Sequence, residues 1–298
     1  MLEKTEPTIT SNIKVDRLTI CMTVSEESTA QSVSSLLSDN ITKEPGVSTK
    51  PGGLYKVRAT ITLPQQLPNL KPAKILIEAG PKVGNRPSFR LDFNPANLDG
   101  EAWTCLYGFM QSHFDPSPEA FFKNGKCTRI DLAVDHVGLR LEDVIVRTIG
   151  KKKIGVYSDQ YGRPQTAYLG APTGKNRLVA YDKHDKATDQ TNLRIECRVN
   201  PGLIGKNLHT LKNPFAQVEL YPVSAISEAM LGFNPTIFAD SARVRGVSRA
   251  VKLLSPKRQA LVELKLQGSS ALMLDYEALW EDFPSALNQS GFFDGLPS

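Results

Sequence analysis

The sequence lacks the parts from which several large function classes are built. Its four cysteines, Cys21, Cys105, Cys127 and Cys197, lie far apart, with no CxxC pair and no histidine at zinc-binding spacing. Neither a disulfide framework nor a structural zinc site is expected, and the thiols read as buried groups in a reducing compartment. No uninterrupted apolar run is long enough to span a bilayer, and the opening MLEKTEPTITSNIKV has no apolar h-region. A cytoplasmic protein with no membrane partner is expected, which leaves the Asn40-Ile41-Thr42 sequon without meaning. GAPTGKN has three residues between its glycines, where a phosphate-binding P-loop needs four and a Ser or Thr after the lysine. GxSxG and HExxH are absent, as is the His-hydrophobic-His pair that holds metal in one large class of nicking enzymes. His113, His136, His184 and His209 are scattered and read as surface or locally bonded residues. After Lys265 there is no Lys or Arg at all, only five acidic residues.

What is present is an ordinary globular composition, 40% hydrophobic and 22% charged over 298 residues, with a net charge of +5. The distribution of that charge is uneven. From Arg140 to Lys212 there are fourteen Lys/Arg against seven Asp/Glu, and from Arg243 to Lys265 seven against one. A basic middle and an acidic tail suit a protein that tracks a phosphate backbone, although basic residues also simply solvate helix faces.

Along the chain, residues 1–13 are polar and aperiodic and read as disordered. Alternation then marks strands at Arg17–Val24, Leu54–Leu63, Lys74–Ala79 and Ser88–Phe93, with a turn at KPGG. Ser28–Leu37 reads as a helix capped by Ser28, and Glu101–Met110 as a helix with Trp103, Leu106, Tyr107 and Met110 inward. The pattern restarts at TRIDLAVD (Thr128–Asp135). A helix is expected at Leu141–Ile149, then strands near Ile154–Tyr157, Thr166–Leu169, Arg177–Asp182 and Asn192–Val199. Val15-Asp16 echoes Ile130-Asp131, and Arg90-Leu91-Asp92 with Asn94-Pro95 echoes Arg194-Ile195-Glu196 with Asn200-Pro201. The expected fold is therefore α+β: a largely antiparallel sheet backed by helices, built from a duplicated strand-helix-strands unit with halves 14–115 and 116–220, and a helical region 221–298. In that region Ser224–Leu231, Ser241–Leu254, Pro256–Leu266 and Leu272–Trp280 have helical spacing, ahead of a frayed end at Ser285–Ser298. The basic Ser241–Lys265 stretch has the form of a weak helix-turn-helix.

In strands, residues two apart share a face. Ile130, Leu132 and Val134 can thus face a core with Asp131, Ala133 and Asp135 opposite. Leu193, Ile195, Cys197 and Val199 lie opposite Arg194, Glu196 and Arg198, and Arg177, Val179, Tyr181 and Lys183 share a face. If these strands are neighbours, a tyrosine, a lysine, arginines and carboxylates converge. That set suits phosphoryl transfer by a tyrosine. A phenol has a pKa near 10, so nucleophilic use at neutral pH needs roughly 4 kcal/mol of help. Lys183 supplies part of it, and a divalent cation (Mg²⁺ or Mn²⁺) on Asp131, Glu196 and Asp135 would supply the rest. Arg177, Arg194 and Arg198, with Arg129 and Lys175, would hold DNA phosphates. The competing reading is a solvated sheet face laced with salt bridges, Glu196 pairing with Arg194 or Arg198.

TRIDLAVD, YLGAPTGKNRLVAYDKHDK and RIECRV, in this order, resemble the Rep_trans type of replication initiation proteins, the rolling-circle initiators of staphylococcal-type plasmids and related filamentous-phage replication proteins. The resemblance is clearest over residues 88–220, including FRLDFNP and LKNPF. It implies a bacterial, metal-dependent, site-specific DNA nickase, with residues 14–220 as the catalytic part. Tyr181 would attack a phosphodiester at the origin, become joined to the 5′ end and leave a 3′-hydroxyl, with Lys183 beside it. It also implies a homodimer acting on an origin hairpin or single strand, and a host helicase as partner. Ala171-Pro172 departs from the family's small residue after the strand glycine, and the C-terminal region does not match. Tyr157, Tyr161 and Tyr168 are rival nucleophiles, Tyr168 being expected to pack in its strand. The alternative function is a non-catalytic DNA-binding regulator of the same fold.

Overall fold

The computed structural model describes residues 12–38, 46–63, 72–149, 153–171, 174, 176–185, 189–270 and 275–289. The expected disordered tail lies almost wholly outside them, as do Lys175, Pro172, the sequon, residues 271–274 and the end of the chain. The chain forms two units. One comprises 14–132, 199–212 and 283–298; the other comprises 1–13, 133–198 and 213–282.

The first unit opens with β1 (Ile13–Met22), followed by α1 (Glu26–Leu36), β2 (Val47–Pro51), β3 (Tyr55–Leu63), β4 (Ala73–Pro81), β5 (Phe89–Phe93), α2 (Gly100–His113) and α3 (Pro118–Asn124). Helix α1 is capped by Ser25, which accepts from the Ser28 N–H, rather than by Ser28. The helix thus begins earlier than the spacing suggested, with Glu26 and Glu27 in its first turn, where acidic residues suit the helix dipole. β3 follows the alternation closely: Tyr55, Val57, Ala59, Ile61 and Leu63 are all buried. β2, which alternation did not mark, ends inside the expected KPGG turn and pairs with β3, Val47 opposite Ile61 and Pro51 opposite Val57. Pro51 ends that strand on the sheet's edge, where a missing N–H is tolerated. The helices cover one face, where Phe89, Phe93, Trp103, Phe121 and Phe122 meet largely edge to face. Each such ring, buried, contributes roughly 1.5–3 kcal/mol.

β6 (Lys126–His136) begins in the first unit and ends in the second. The strand order is β2-β3-β4-β5-β1-β6 and then β11-β10-β9-β8. Here β8 is Ile154–Ser158, β9 Pro164–Leu169, β10 Asn176–Asp185 and β11 Gln190–Val199. The first half reads 2-3-4-5-1 from its edge, and the second reads 8-9-10-11-6 from its own. Each half therefore puts its first strand innermost and its remaining strands outward in reverse chain order, which is the topology of a duplicated unit. The sequence echoes fall on matching strands, Arg90–Asp92 on β5 and Arg194–Glu196 on β11.

The halves differ between their first and second strands. Where the first half has α1, the second has a 3-10 turn at Leu141–Asp143 and then a strand, β7 (Val144–Thr148), paired with β12 (Val218–Pro222). The helix expected at 141–149 is therefore corrected. Its run VIVRT is rich in β-branched residues, which favour a strand once a partner exists, and that partner lies some seventy residues away. The C-terminal helices are α4 (Glu228–Leu231), α5 (Pro235–Arg245), α6 (Val247–Val251), α7 (Pro256–Ser270), α8 (Tyr276–Trp280) and α9 (Phe283–Gln289). The expected helix at 241–254 is broken at Gly246, which has φ +85°, a conformation glycine adopts without strain. α4 to α7 bury Leu231, Phe238, Ala242, Val251 and Val262 against Ile145 and Tyr221 of the small sheet. Arg243 of this region is buried and donates to the carbonyls of Leu141, Glu142 and Val144, so it is a structural strut. Cys21, Cys127 and Cys197 are buried as expected, whereas Cys105 is exposed.

Candidate active site

In the second unit, register fixes which residues share a face. β9 pairs with β10 with Leu169 opposite Leu178, Tyr168 opposite Val179, Ala167 opposite Ala180 and Thr166 opposite Tyr181. Ala167, Leu169, Leu178 and Ala180 are buried and form the core side, where Ala167 and Leu169 line a small cavity with Val144 and Val146 of β7. On β11 the core set is Leu193, Ile195, Cys197 and Val199. The opposite face therefore carries Tyr168, Arg177, Val179, Tyr181 and Lys183, then Arg194, Glu196 and Arg198. Asp135 of β6 joins it through Arg194. Alternation thus placed the tyrosine, the lysine and the basic and acidic residues of β10 and β11 on one face. Tyr181 and Lys183 are half-buried; Val179 between them and Arg177 is 6% exposed.

Asp182 points to the core side and holds β10 in place. Its carboxylate accepts the Leu141 N–H at 2.7 Å. Burial pushes its pKa up, and the Leu141 bond offsets part of that rise. A tie at the residue next to Tyr181 limits how far the tyrosine's strand can shift.

The charged groups are tightly paired. Arg194 is 2% exposed and grips Asp135 with two parallel bonds, Nε to Oδ1 at 2.5 Å and Nη2 to Oδ2 at 2.7 Å. Arg129 grips Asp131 in the same way, at 2.8 and 2.5 Å. Glu196 lies 3.9 Å from Arg198. Nε of Arg177 and Nε of Arg198 are buried with no hydrogen-bond partner. Among the described residues, no group of three or more His, Cys, Asp or Glu side chains comes together so as to hold a metal ion. Both oxygens of Asp131 and of Asp135 already accept from guanidinium N–H groups. As they stand, Asp131 and Asp135 answer arginines.

The first unit has a counterpart face of charged residues. Asp92 accepts from Arg17 and Arg90, and Glu78 from Arg90 and Arg58, at 2.5–3.0 Å. Burial would raise the Glu78 pKa; the bonds from Arg90 and Arg58 outweigh it and hold the carboxyl below its ordinary value. In the chain Arg17–Asp92–Arg90–Glu78–Arg58 each carboxylate is answered by two arginines. Cys21 on the same face has its pKa raised by burial.

Sequence reasoning weighed Tyr157 and Tyr168 only as rival nucleophiles. Tyr157 stands opposite Thr166, so it lies on the Tyr181 face, and its ring is 65% exposed. Tyr168 is half-buried under the Arg177 guanidinium, 4.0 Å from the ring centroid. The alternation Ile154, Val156 against Tyr157 carried this signal. Tyr161, 77% exposed, sits in the turn between β8 and β9. Among the described residues no helix is long and apolar enough to cross a membrane.

No protein-family model matches the chain, and no curated protein matches it. Among solved structures it is similar to a rolling circle replication initiator protein from Geobacillus stearothermophilus. The TM-score is 0.37 at 15% identity, over 64% of this chain and 75% of that one, a distant likeness.

Proposed function

We propose that this chain is a tyrosine nickase and strand transferase that initiates rolling-circle replication by cutting and rejoining one DNA strand at a plasmid or phage origin. The observation that carries the reading is the placement of Tyr181 and Lys183 on one face of β10, next to a strand that presents Arg194, Glu196 and Arg198 on the same side.

Tyr181 Oη attacks the scissile phosphorus as its proton leaves to solvent or a nearby base. The P–O3′ bond breaks, O3′ takes up a proton, and the 5′ phosphate stays on the tyrosine. The Lys183 ammonium favours the phenolate and the charge that develops on the phosphoryl oxygens. Arg177 and Arg198 supply donors for the flanking phosphates. Rejoining is the reverse: a 3′-hydroxyl attacks the phosphotyrosine and Tyr181 leaves. No nucleotide hydrolysis is required, in keeping with the missing P-loop.

A divalent cation belongs to this proposal through the sequence pattern and the family resemblance. Asp131, Asp135 and Glu196 would have to give up their arginines to hold Mg²⁺ or Mn²⁺, so the metal requirement is a separate arm of the test. The homodimer and the host helicase rest on the resemblance alone.

The test is relaxation of a supercoiled plasmid carrying the DNA that flanks this protein's gene, with Mg²⁺, Mn²⁺ or EDTA. The wild type, Tyr157→Phe and Tyr168→Phe give open circles, and Tyr181→Phe gives none. Tight, salt-dependent binding without open circles under any metal would instead favour the DNA-binding regulator.

A further inference from the structure

The β8–β9 hairpin carries aromatic side chains that the nicking step leaves unused. Tyr157 stands opposite Thr166, and Thr166 opposite Tyr181, so these three form one row across β8, β9 and β10 on one face. Neighbouring strands lie about 4.8 Å apart, so the row spans roughly 10 Å, the length of about three stacked nucleotides at 3.4 Å each. In the next row Tyr168 lies opposite Val179. Tyr157 meets the Tyr168 ring edge-on, with centroids 5.7 Å apart.

Two features of this face stand out. Tyr157 leaves 65% of its surface in solvent although it sits in a paired strand. Arg177 has no carboxylate partner among the described residues; it lies over Tyr168, and its Nε donates to nothing. An exposed tyrosine face beside an unanswered guanidinium is what an unpaired nucleotide meets in proteins that bind single strands. The ring and the guanidinium plane take the base, and the charge takes the phosphate. The hairpin is also braced. Asp159 Oδ1 accepts the N–H groups of Tyr161 and Arg163, the Asp159 N–H donates to the Arg163 carbonyl, and Gly162 takes φ +79° to close the turn. Such a platform needs little ordering when a ligand arrives.

We propose that the β8–β9–β10 face is a stacking platform for unpaired DNA. One base stacks on Tyr157 and a neighbour on the outer plane of Arg177, and the strand continues across β10 toward Tyr181. This rests on Tyr181 as nucleophile only for the direction of the strand.

The experiment uses the full chain in a Tyr181→Phe background, where no covalent step contributes. The probe is a fluorescent oligothymidylate of about 16 nucleotides, the upper end of usual single-strand site sizes. A duplex of equal length is the control, and binding is read by anisotropy. Tyr157→Ala is expected to weaken single-strand binding about tenfold, and Tyr157→Phe to keep it, since the ring suffices for stacking. Arg177→Ala is expected to weaken it and to lower the salt slope by about one. Duplex binding stays within twofold throughout. Single-strand binding unchanged in Tyr157→Ala, or an equal loss for single strand and duplex, would overturn the platform. Tyr157 is exposed, so its variants should melt with the parent. An adduct still formed by Tyr181→Phe would defeat the nicking reading without touching the platform. Normal single-strand binding by Tyr157→Ala, with an adduct still formed by the otherwise wild-type chain and lost in Tyr181→Phe, would defeat the platform alone.

Discussion

The Arg194–Asp135 pair gives the most demanding structural prediction. Arg194 is 2% exposed and the Asp135 side chain 17%, and two short bonds join them. In Arg194→Gln the Asp135 carboxylate remains, largely out of water and stripped of a bidentate partner. Breaking a buried pair from one side costs about 3–5 kcal/mol. Asp135 keeps some access to solvent, so the lower end applies. At roughly 2–4 °C per kcal/mol for a large domain, Tm should fall by about 6–12 °C. A carboxylate that has lost its guanidinium pair is easier to protonate, so the gap to the wild type should narrow as pH falls from 7 to 4. Replacing both residues with apolar ones, Arg194→Met with Asp135→Leu, should recover much of the loss. Melting followed by circular dichroism at both pH values reads all three. A single variant that melts within about 2 °C of the wild type would refute the reasoning.

Three further predictions concern other parts of the chain. His136 is fully buried with Nε2 3.1 Å from the Tyr276 hydroxyl; burial lowers its pKa to about 4, against a smaller upward pull from Asp135. Between pH 4 and 6.5 the unfolded chain binds the extra proton, so stability falls as pH drops through that window, by about 2 kcal/mol at pH 5. Urea midpoints at pH 7.5 and 5 should show this loss in the wild type and lack it in His136→Phe; equal losses would refute it. In Gly205→Ala the new Cβ would run into the Phe122 carbonyl oxygen, where backbone must move. The variant should lose about 2 kcal/mol or more in urea unfolding, and an unchanged midpoint would contradict the packing. Arg243→Met removes the donors to three carbonyls in the Leu141–Val144 segment and should cost about 2–3 kcal/mol; a melt unchanged from the wild type would show that those carbonyls find other partners.

Local periodicity carried what it could. β3 and the core faces of β10 and β11 are legible because each has a buried face whose residues recur at every second position. The face holding Tyr181, Lys183, Arg194, Glu196 and Arg198 follows from the same count. β7 was misread because its partner β12 is distant in the chain, and a short run of Val and Ile fits both periods. Ser28 was taken for a cap because it begins the apolar spacing, whereas Ser25 is the residue whose hydroxyl meets a free N–H. The pairing of Asp135 with Arg194 was not legible either. Alternation assigns a residue to a face, but which cation answers which carboxylate depends on strand order, and the chain brings these two together over fifty-nine positions. The platform at Tyr157 was hidden for the same reason, since Tyr157 and Tyr181 share a row only through β9.

The central claim is that Tyr181 becomes joined to DNA. The most direct measurement is peptide mapping by mass spectrometry after incubation with origin-bearing plasmid, nuclease digestion and proteolysis. The account predicts a nucleotide-phosphate adduct on the peptide containing Tyr181, and none in Tyr181→Phe. An adduct on Tyr157, Tyr161 or Tyr168, or an adduct that persists in Tyr181→Phe, would contradict it.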